Sequence, residues 1–228
     1  MPSRRGIGYH SRVRIPYFVA IGVCAVSGGV LAQSSLPLPP LVPISLVGDA
    51  GHGAALAATC AGCHGVPGSR NAYPSYHVPK LGGQNPDYVE VALQGYRRGT
   101  RSHPTMQAQA ATLSDQDIAD LAAYFVGREG EPEIGKSDAG ELQVQAGRRK
   151  AVACLQCHGE IGIAETTTPW PHLAGQHGSY LEQAMLEYQT GARTDLLMGP
   201  LVAGLDEQTI AELAAYFSAQ PWLHTTQQ

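Results

Sequence analysis

The chain has 228 residues, 43% of them hydrophobic, with 15 Lys and Arg against 19 Asp and Glu. That length allows one large domain or two small ones, and the composition is ordinary for a folded protein. Setting aside four arginines in an amino-terminal segment leaves 11 basic residues against 19 acidic ones, a net charge of −8 with no long basic run, which argues against nucleic acid as a partner.

Residues 1–32 carry Arg4, Arg5, Arg12 and Arg14, then the apolar run "IPYFVAIGVCAVSGGVLA", then small residues at Val30 and Ala32. This is the basic, apolar and cleavage pattern of a secretory signal peptide, and it predicts a periplasmic protein. An uncleaved anchor is the competing reading, set against by a run that is short and broken by glycines. Cys24 leaves with the signal. Residues 33–48, with "SSLPLPPLVP", read as an extended proline-rich leader.

From there the chain repeats itself. A register of 94 residues aligns Cys60 with Cys154, Cys63 with Cys157 and His64 with His158. A register of 92 then aligns Pro79 with Pro171, "LGGQ" at 81 with "LAGQ" at 173, Tyr88 with Tyr180, and Tyr96 with Tyr188. It goes on through Arg101 with Arg193, Met106 with Met198, and "LAAYF" at 121 with "LAAYF" at 213. A deletion of two residues between His158 and Pro171 explains the change of register. Two copies are too few for a solenoid, so the repeat predicts two tandem globular domains, at 49–126 and 141–228, joined by a linker at 127–140.

Both copies read as helices, and the predicted class is all-α. "HGAALAAT" leads into the first CxxCH and "GRRKAVA" into the second. A middle helix opens at Asn85 with Pro86 in its first turn and stops at Gly99; its counterpart runs from about Ser179 to Gly191. In "SDQDIADLAAYF", Ser114 and Asp117 form a capping box, with Ile118, Leu121, Ala122 and Phe125 on one face. In "DEQTIAELAAYF" Asp206 is the cap, and Ile210, Leu213, Ala214 and Phe217 make the stripe. Units this small with few aromatic residues need something apolar to complete each core.

CxxCH is the attachment motif of c-type haem. Cys60 and Cys63, and again Cys154 and Cys157, are spaced to bond the two vinyl groups of one porphyrin as thioethers, which places His64 or His158 beneath the iron. Two covalently bound haem c groups are therefore expected, each wrapped by one domain. The alternatives are a zinc site shared across the duplication, a thioredoxin-like redox pair, or a disulfide framework. Zinc would need both motifs to converge, and the redox pair a βαβ context that is absent.

The repeat also filters candidates for the sixth iron ligand. Apart from His64 and His158 no histidine recurs: His77 aligns with Pro169, His103 with Asp195, His172 with Lys80 and His177 with Asn85. Met185 faces Leu93, a helix-core position. Met106 and Met198 do recur, 42 and 40 residues after their histidines, and are the expected distal ligands; a buried gap-filling role is the bland alternative. His/Met ligation fills both axial positions and raises the reduction potential, so the iron passes electrons rather than binding a substrate. Pro79 and Pro171 are placed either to accept the ligand imidazole proton or simply to make a turn. Arg101 and Arg193 read equally as partners of haem propionates or as solvated charges. Arg97 and Arg98 do not recur, which suggests a more basic docking face on the first domain.

With these residues in view, the chain resembles the dihaem cytochrome c4 family, on "CAGCH" and "CLQCH", "PKLGGQ" and "PHLAGQ", Met106 and Met198, and the closing "LAAYF" helices. The resemblance covers essentially the whole chain after the signal. It implies two class I cytochrome c domains about a pseudo-twofold axis, with haem propionates near the interface. It further implies a periplasmic carrier, often peripherally membrane-associated, between a quinol-oxidising complex as donor and a terminal oxidase as acceptor. The chain departs from the pattern in its leader and in Gly199 and Pro200 after Met198. A cytochrome subunit of a periplasmic dehydrogenase is the alternative. A dihaem peroxidase is a further one, opposed by the matched methionines because it needs one haem that can vacate a ligand position.

Overall fold

The computed structural model describes residues 40–126 and 139–226. The expected signal, the start of the leader and most of the linker lie outside these residues. The described residues belong to one compact unit. Its first half holds α1 (Ala50–His64), α2 (Pro86–Arg98), α3 (Pro104–Ala111) and α4 (Asp115–Val126). The second holds α5 (Glu141–Lys150), α6 (Val152–His158), α7 (Gly178–Thr190), α8 (Met198–Val202) and α9 (Glu207–Ser218). Among the described residues there is no strand, only isolated antiparallel bridges at Arg70/His77, Gly82/His224 and Arg101/Arg193.

The helix boundaries follow local chemistry. Asn85 caps α2 by accepting from Asp87 N and Tyr88 N, Pro86 sits at the first helical position, and Gly99 ends the helix at φ 78°. Ser114 N donates to Asp117 Oδ2 at 2.8 Å while Asp117 N donates to Ser114 Oγ at 3.1 Å, a closed capping box. Asp206 accepts from Thr209 N at 2.7 Å to open α9. Ile118, Leu121, Ala122 and Phe125 of α4, and Ile210, Leu213, Ala214 and Phe217 of α9, are all buried as their periodicity predicts.

Each half is built on one close helix crossing. A Cβ on Gly53 of α1 would lie 2.1 Å from the carbonyl oxygen of Asp120 in α4, and one on Gly147 of α5 would lie 1.8 Å from that of Glu212 in α9. Only glycine allows the backbones so near. Around the crossings, Ala57, Val89, Leu121, Ala122 and Phe125 form one core, and Ala151, Leu181, Leu213, Ala214, Tyr216 and Phe217 form the other. Cys60 packs against the first and Cys154 against the second, so each attachment motif borders an apolar cluster.

Two segments outside the helices fasten onto the first half. Residues 40–48 lie across it: Gln94 Nε2 donates to Val42 O at 2.8 Å, Gln116 Nε2 to Val47 O at 2.9 Å, and Ile44 N to the carboxylate of Glu90. Residues 222–224 also reach back to the first half. His224 and Gly82 exchange both backbone hydrogen bonds at 3.2 Å, Trp222 Nε1 donates to Gly83 O at 2.9 Å, and Leu223 is fully buried.

Candidate haem-binding sites

In α1 the residues Cys60, Cys63 and His64 fall at spacings of three and four, which places them on one helix face. The second motif closes α6 in the same way, with Cys154, Cys157 and His158. No disulfide joins any of the four cysteines. Burial pushes the Cys60 and Cys154 thiols up.

Both histidines are held through one ring nitrogen. His64 Nδ1 lies 2.8 Å from Pro79 O, and His158 Nδ1 lies 3.0 Å from Pro171 O. A carbonyl oxygen only accepts, so Nδ1 carries the proton in each ring and Nε2 keeps its lone pair for a metal. Burial lowers the affinity of both rings for a second proton, which keeps them neutral. The two prolines thus orient the histidines; they are not merely turns.

The methionines sit at matching helix starts with different builds. Met106 is in the first turn of α3, where its N–H donates to His103 Nδ1 at 3.2 Å. His103 Nε2 is turned to Asn71 Oδ1 at 3.1 Å. Met198 opens α8, and Asp195 Oδ1 accepts from Leu197 N at 2.9 Å and Met198 N at 2.8 Å. Pro200 shortens this second helix at its start, because proline is tolerated only where no intrahelical N–H bond is due. His103 and Asp195, unlike in composition, occupy one repeat position, and each accepts from the N–H of its methionine; His103 is the N-cap of α3, whereas Asp195 holds the turn that leads into α8. Sequence reasoning used their mismatch to set His103 aside as a ligand and missed this shared bond.

Arg101 and Arg193 are not solvated charges. Their side chains are buried, the residues pair in an antiparallel bridge, and each guanidinium lies over two tyrosine rings. Arg101 stands 5.4 Å from the Tyr88 centroid and 4.8 Å from that of Tyr96; Arg193 stands 5.8 Å and 5.3 Å from Tyr180 and Tyr188. Arg193 also pairs with Glu187 at 2.9 Å. The Nε of each arginine is buried without a hydrogen-bond partner. Two buried cations with unfilled donors call for an anion, and the propionates of a porphyrin carry that charge.

The approaches to the two sites differ, although not chiefly in charge. Arg97 is tied to Leu113 O at 3.0 Å and to the carboxylate of Asp115, so much of its charge is offset. Leu196, Leu197 and Leu201, beside Met198, are 84%, 59% and 60% exposed. Pro104, Thr105 and Gln109 stand at the corresponding positions beside Met106.

A family model described as cytochrome c matches residues 50–127. Cytochrome c4 from Pseudomonas aeruginosa is 33% identical over 180 residues, spanning 74% of this chain and 87% of that protein. The chain belongs to the cytochrome c4 family. A solved structure, reduced recombinant cytochrome c4 from Pseudomonas stutzeri, superposes with a TM-score of 0.66 at 29% identity, covering 76% of this chain and 100% of that one. A thiosulfate dehydrogenase electron acceptor from Stutzerimonas stutzeri is also similar, 32% identical over 71% of this chain and 79% of that protein. As a cytochrome c4 the chain has two cytochrome c domains, carries two covalent haem c groups on its CxxCH motifs, and is an electron-transfer protein rather than an enzyme.

The contacts between the halves are reciprocal, as a pseudo-twofold relation requires. Ser102 N donates to Ala192 O at 2.7 Å and Thr194 N to Thr100 O at 2.9 Å, which are the same bond with the repeats exchanged.

Proposed function

We propose that this protein is a periplasmic dihaem carrier that accepts electrons from a quinol-oxidising complex and delivers them to a terminal oxidase. In this reading residues 1–32 are an export signal, and the domains at 49–126 and 141–228 each enclose one haem. His64 and Met106 would ligate the iron of the haem held at Cys60 and Cys63; His158 and Met198 would ligate that of the haem held at Cys154 and Cys157. The haem, when bound, supplies one-electron chemistry at iron. The residues of the chain fix the imidazole tautomer through Pro79 and Pro171, set the methionine backbones through His103 and Asp195, and place cations at the interface through Arg101 and Arg193.

The observation that carries this reading is the repeat of one constellation, an imidazole on a proline carbonyl and a methionine at a helix start whose N–H is bound by the side chain three residues before it, in both halves of a single compact unit. With His64 and Met106, and His158 and Met198, holding them, the irons would exchange electrons rather than bind peroxide. The test is the red absorption band of the ferric protein that reports sulfur bound to iron, quantified per haem. Two bands' worth per chain is expected. One would mean that Met106 or Met198 is not a ligand.

A second reading is favoured by the similarity to an electron acceptor of thiosulfate dehydrogenase. On it the same two haems serve as the acceptor for a periplasmic dehydrogenase, docked through the leucines around Met198. Reduction by such a dehydrogenase faster than by a quinol-oxidising complex, in stopped-flow mixing, would select it.

A further inference from the structure

The peptide units that accept from the two imidazoles are held at their other end as well. Pro79 O accepts from His64, and the N–H of that same peptide unit, Lys80 N, donates to Gln176 Oε1 at 2.9 Å. Gln176 Nε2 donates in return to Lys80 O at 3.0 Å. In the other half Pro171 O accepts from His158, His172 N donates to Gln84 Oε1 at 2.7 Å, and Gln84 Nε2 donates to His172 O at 3.0 Å. Each glutamine belongs to the half that does not contain the histidine.

The amide orientations are fixed. Gln84 Oε1 also accepts from Asn85 N at 2.8 Å and Gln176 Oε1 from His177 N at 3.0 Å, so in each glutamine two backbone N–H groups face the oxygen. Gln84, Gln176, Lys80 and His172 are all at most 7% exposed, and water competes little for these bonds.

We propose that Gln84 and Gln176 are crossed positioning residues, each tuning the axial histidine of the opposite domain's haem through one shared peptide unit. An amide that gives up its N–H to an acceptor polarises, and its carbonyl becomes a stronger acceptor in turn. A stronger acceptor on Nδ1–H makes the imidazole a more basic ligand. A more basic ligand favours ferric over ferrous iron. Gln176 therefore lowers the potential of the haem at Cys60 and Cys63, and Gln84 that of the haem at Cys154 and Cys157. The duplicated "LGGQ" and "LAGQ" segments act as two arms that reach across the interface. The inference rests on the proposed ligation by His64 and His158, which the hyperfine-shifted imidazole proton resonances of the unsubstituted protein report separately.

The test is to make Gln176→Leu and Gln84→Leu in the full haem-loaded protein and to measure each potential by spectroelectrochemistry, with the haem methyl resonances assigning each value. For Gln176→Leu the reduced-to-oxidised ratio at the first haem should rise about threefold at a given potential, roughly 30 mV for one electron, with the second haem much less affected. Gln84→Leu should give the mirror result. In both, the Nδ1 proton of the opposite histidine should exchange faster with solvent. A shift at the haem of the substituted domain, an equal shift at both, or none, with the parent spectrum normal, overturns the proposal. Gln176→Glu and Gln84→Glu guard against failure of the leucine variants to assemble. They keep the acceptor and lose the donor, so they loosen the interface as leucine does, yet the opposite haem's potential must not rise; a rise overturns the proposal too.

Discussion

At the level of single residues, the duplicated positions show how one job is done with different chemistry. Asp120 and Glu212 are repeat equivalents that tie the first helix of each half to the last. Asp120 accepts from Asp49 N at 2.7 Å and Gln116 Nε2 at 2.8 Å, and meets His52 Nδ1 at 2.6 Å. Glu212 instead takes Lys150 at 2.6 Å. The hydrogen bonds to Asp120 hold its carboxyl down to about 2, the Asp49 backbone N–H contributing most, and the bond to Asp120 raises the His52 pKa. The folded state therefore gains from Asp120 above its unfolded pKa of about 3.9 and loses that gain as pH falls toward about 2. It gains from His52 fully below about 6.5 and loses that gain as pH rises through the higher folded value. His52→Ala should lower the denaturation midpoint more at pH 5.5 than at pH 9, and Asp120→Asn should flatten the loss of stability between about pH 4 and 2. Equal effects of His52→Ala at both pH values would contradict the pairing.

At the level of elements, the capping boxes, the apolar stripes and the proline and glycine boundaries were legible because each is set within a few residues. The break between α5 and α6 was not. Ala151 lies there at φ −71° and ψ −9° and is fully buried, while its repeat equivalent Ala57, 2% exposed, sits inside an unbroken α1. The same residue with the same burial gives two outcomes, so neither its identity nor its burial marks the break. The glycine crossings were present in the 94-residue register, Gly53 against Gly147, yet nothing local marks a glycine as a contact rather than a helix weakness. Gly147→Ala should cost about 1–3 kcal/mol, since the methyl meets backbone oxygen that cannot turn aside, against the roughly 1 kcal/mol gain expected of alanine in a free helix. Chemical denaturation of the holoprotein measures it, and a stabilised variant would mean that α5 and α9 do not cross so closely.

At the level of the whole molecule, the repeat declared two domains but not how they are joined. The reciprocal clasps of Gln84 and Gln176, and the paired bonds around Arg101 and Arg193, depend on residues 80 to more than 90 positions apart, which no periodicity reveals. Met106 and Met198 were singled out by the repeat, whereas the short helices α3 and α8 that carry them, and the bonds their N–H groups make to His103 and Asp195, needed coordinates. The carboxyl-terminal tail is the least readable part, being short and aperiodic, and it crosses to the first half. Ending the chain after Pro221 removes the bonds of Trp222 and His224 and the buried Leu223, a side chain worth about 1.5–3 kcal/mol when fully buried. Calorimetry should then show the single unfolding transition split in two as the halves uncouple. One unchanged transition would mean that the tail is not a fastening.

The pseudo-twofold symmetry fails at one telling place. Glu187, the partner of Arg193, stands where the first half has Gly95, against whose position the Arg101 side chain packs instead. An added carboxylate offsets one of two facing cations, so an electron does not meet the same field on both sides of the axis. Duplication supplied two similar seats, and this glycine-to-glutamate difference gives the buried arginine pair a direction, a front and a back in its electric field.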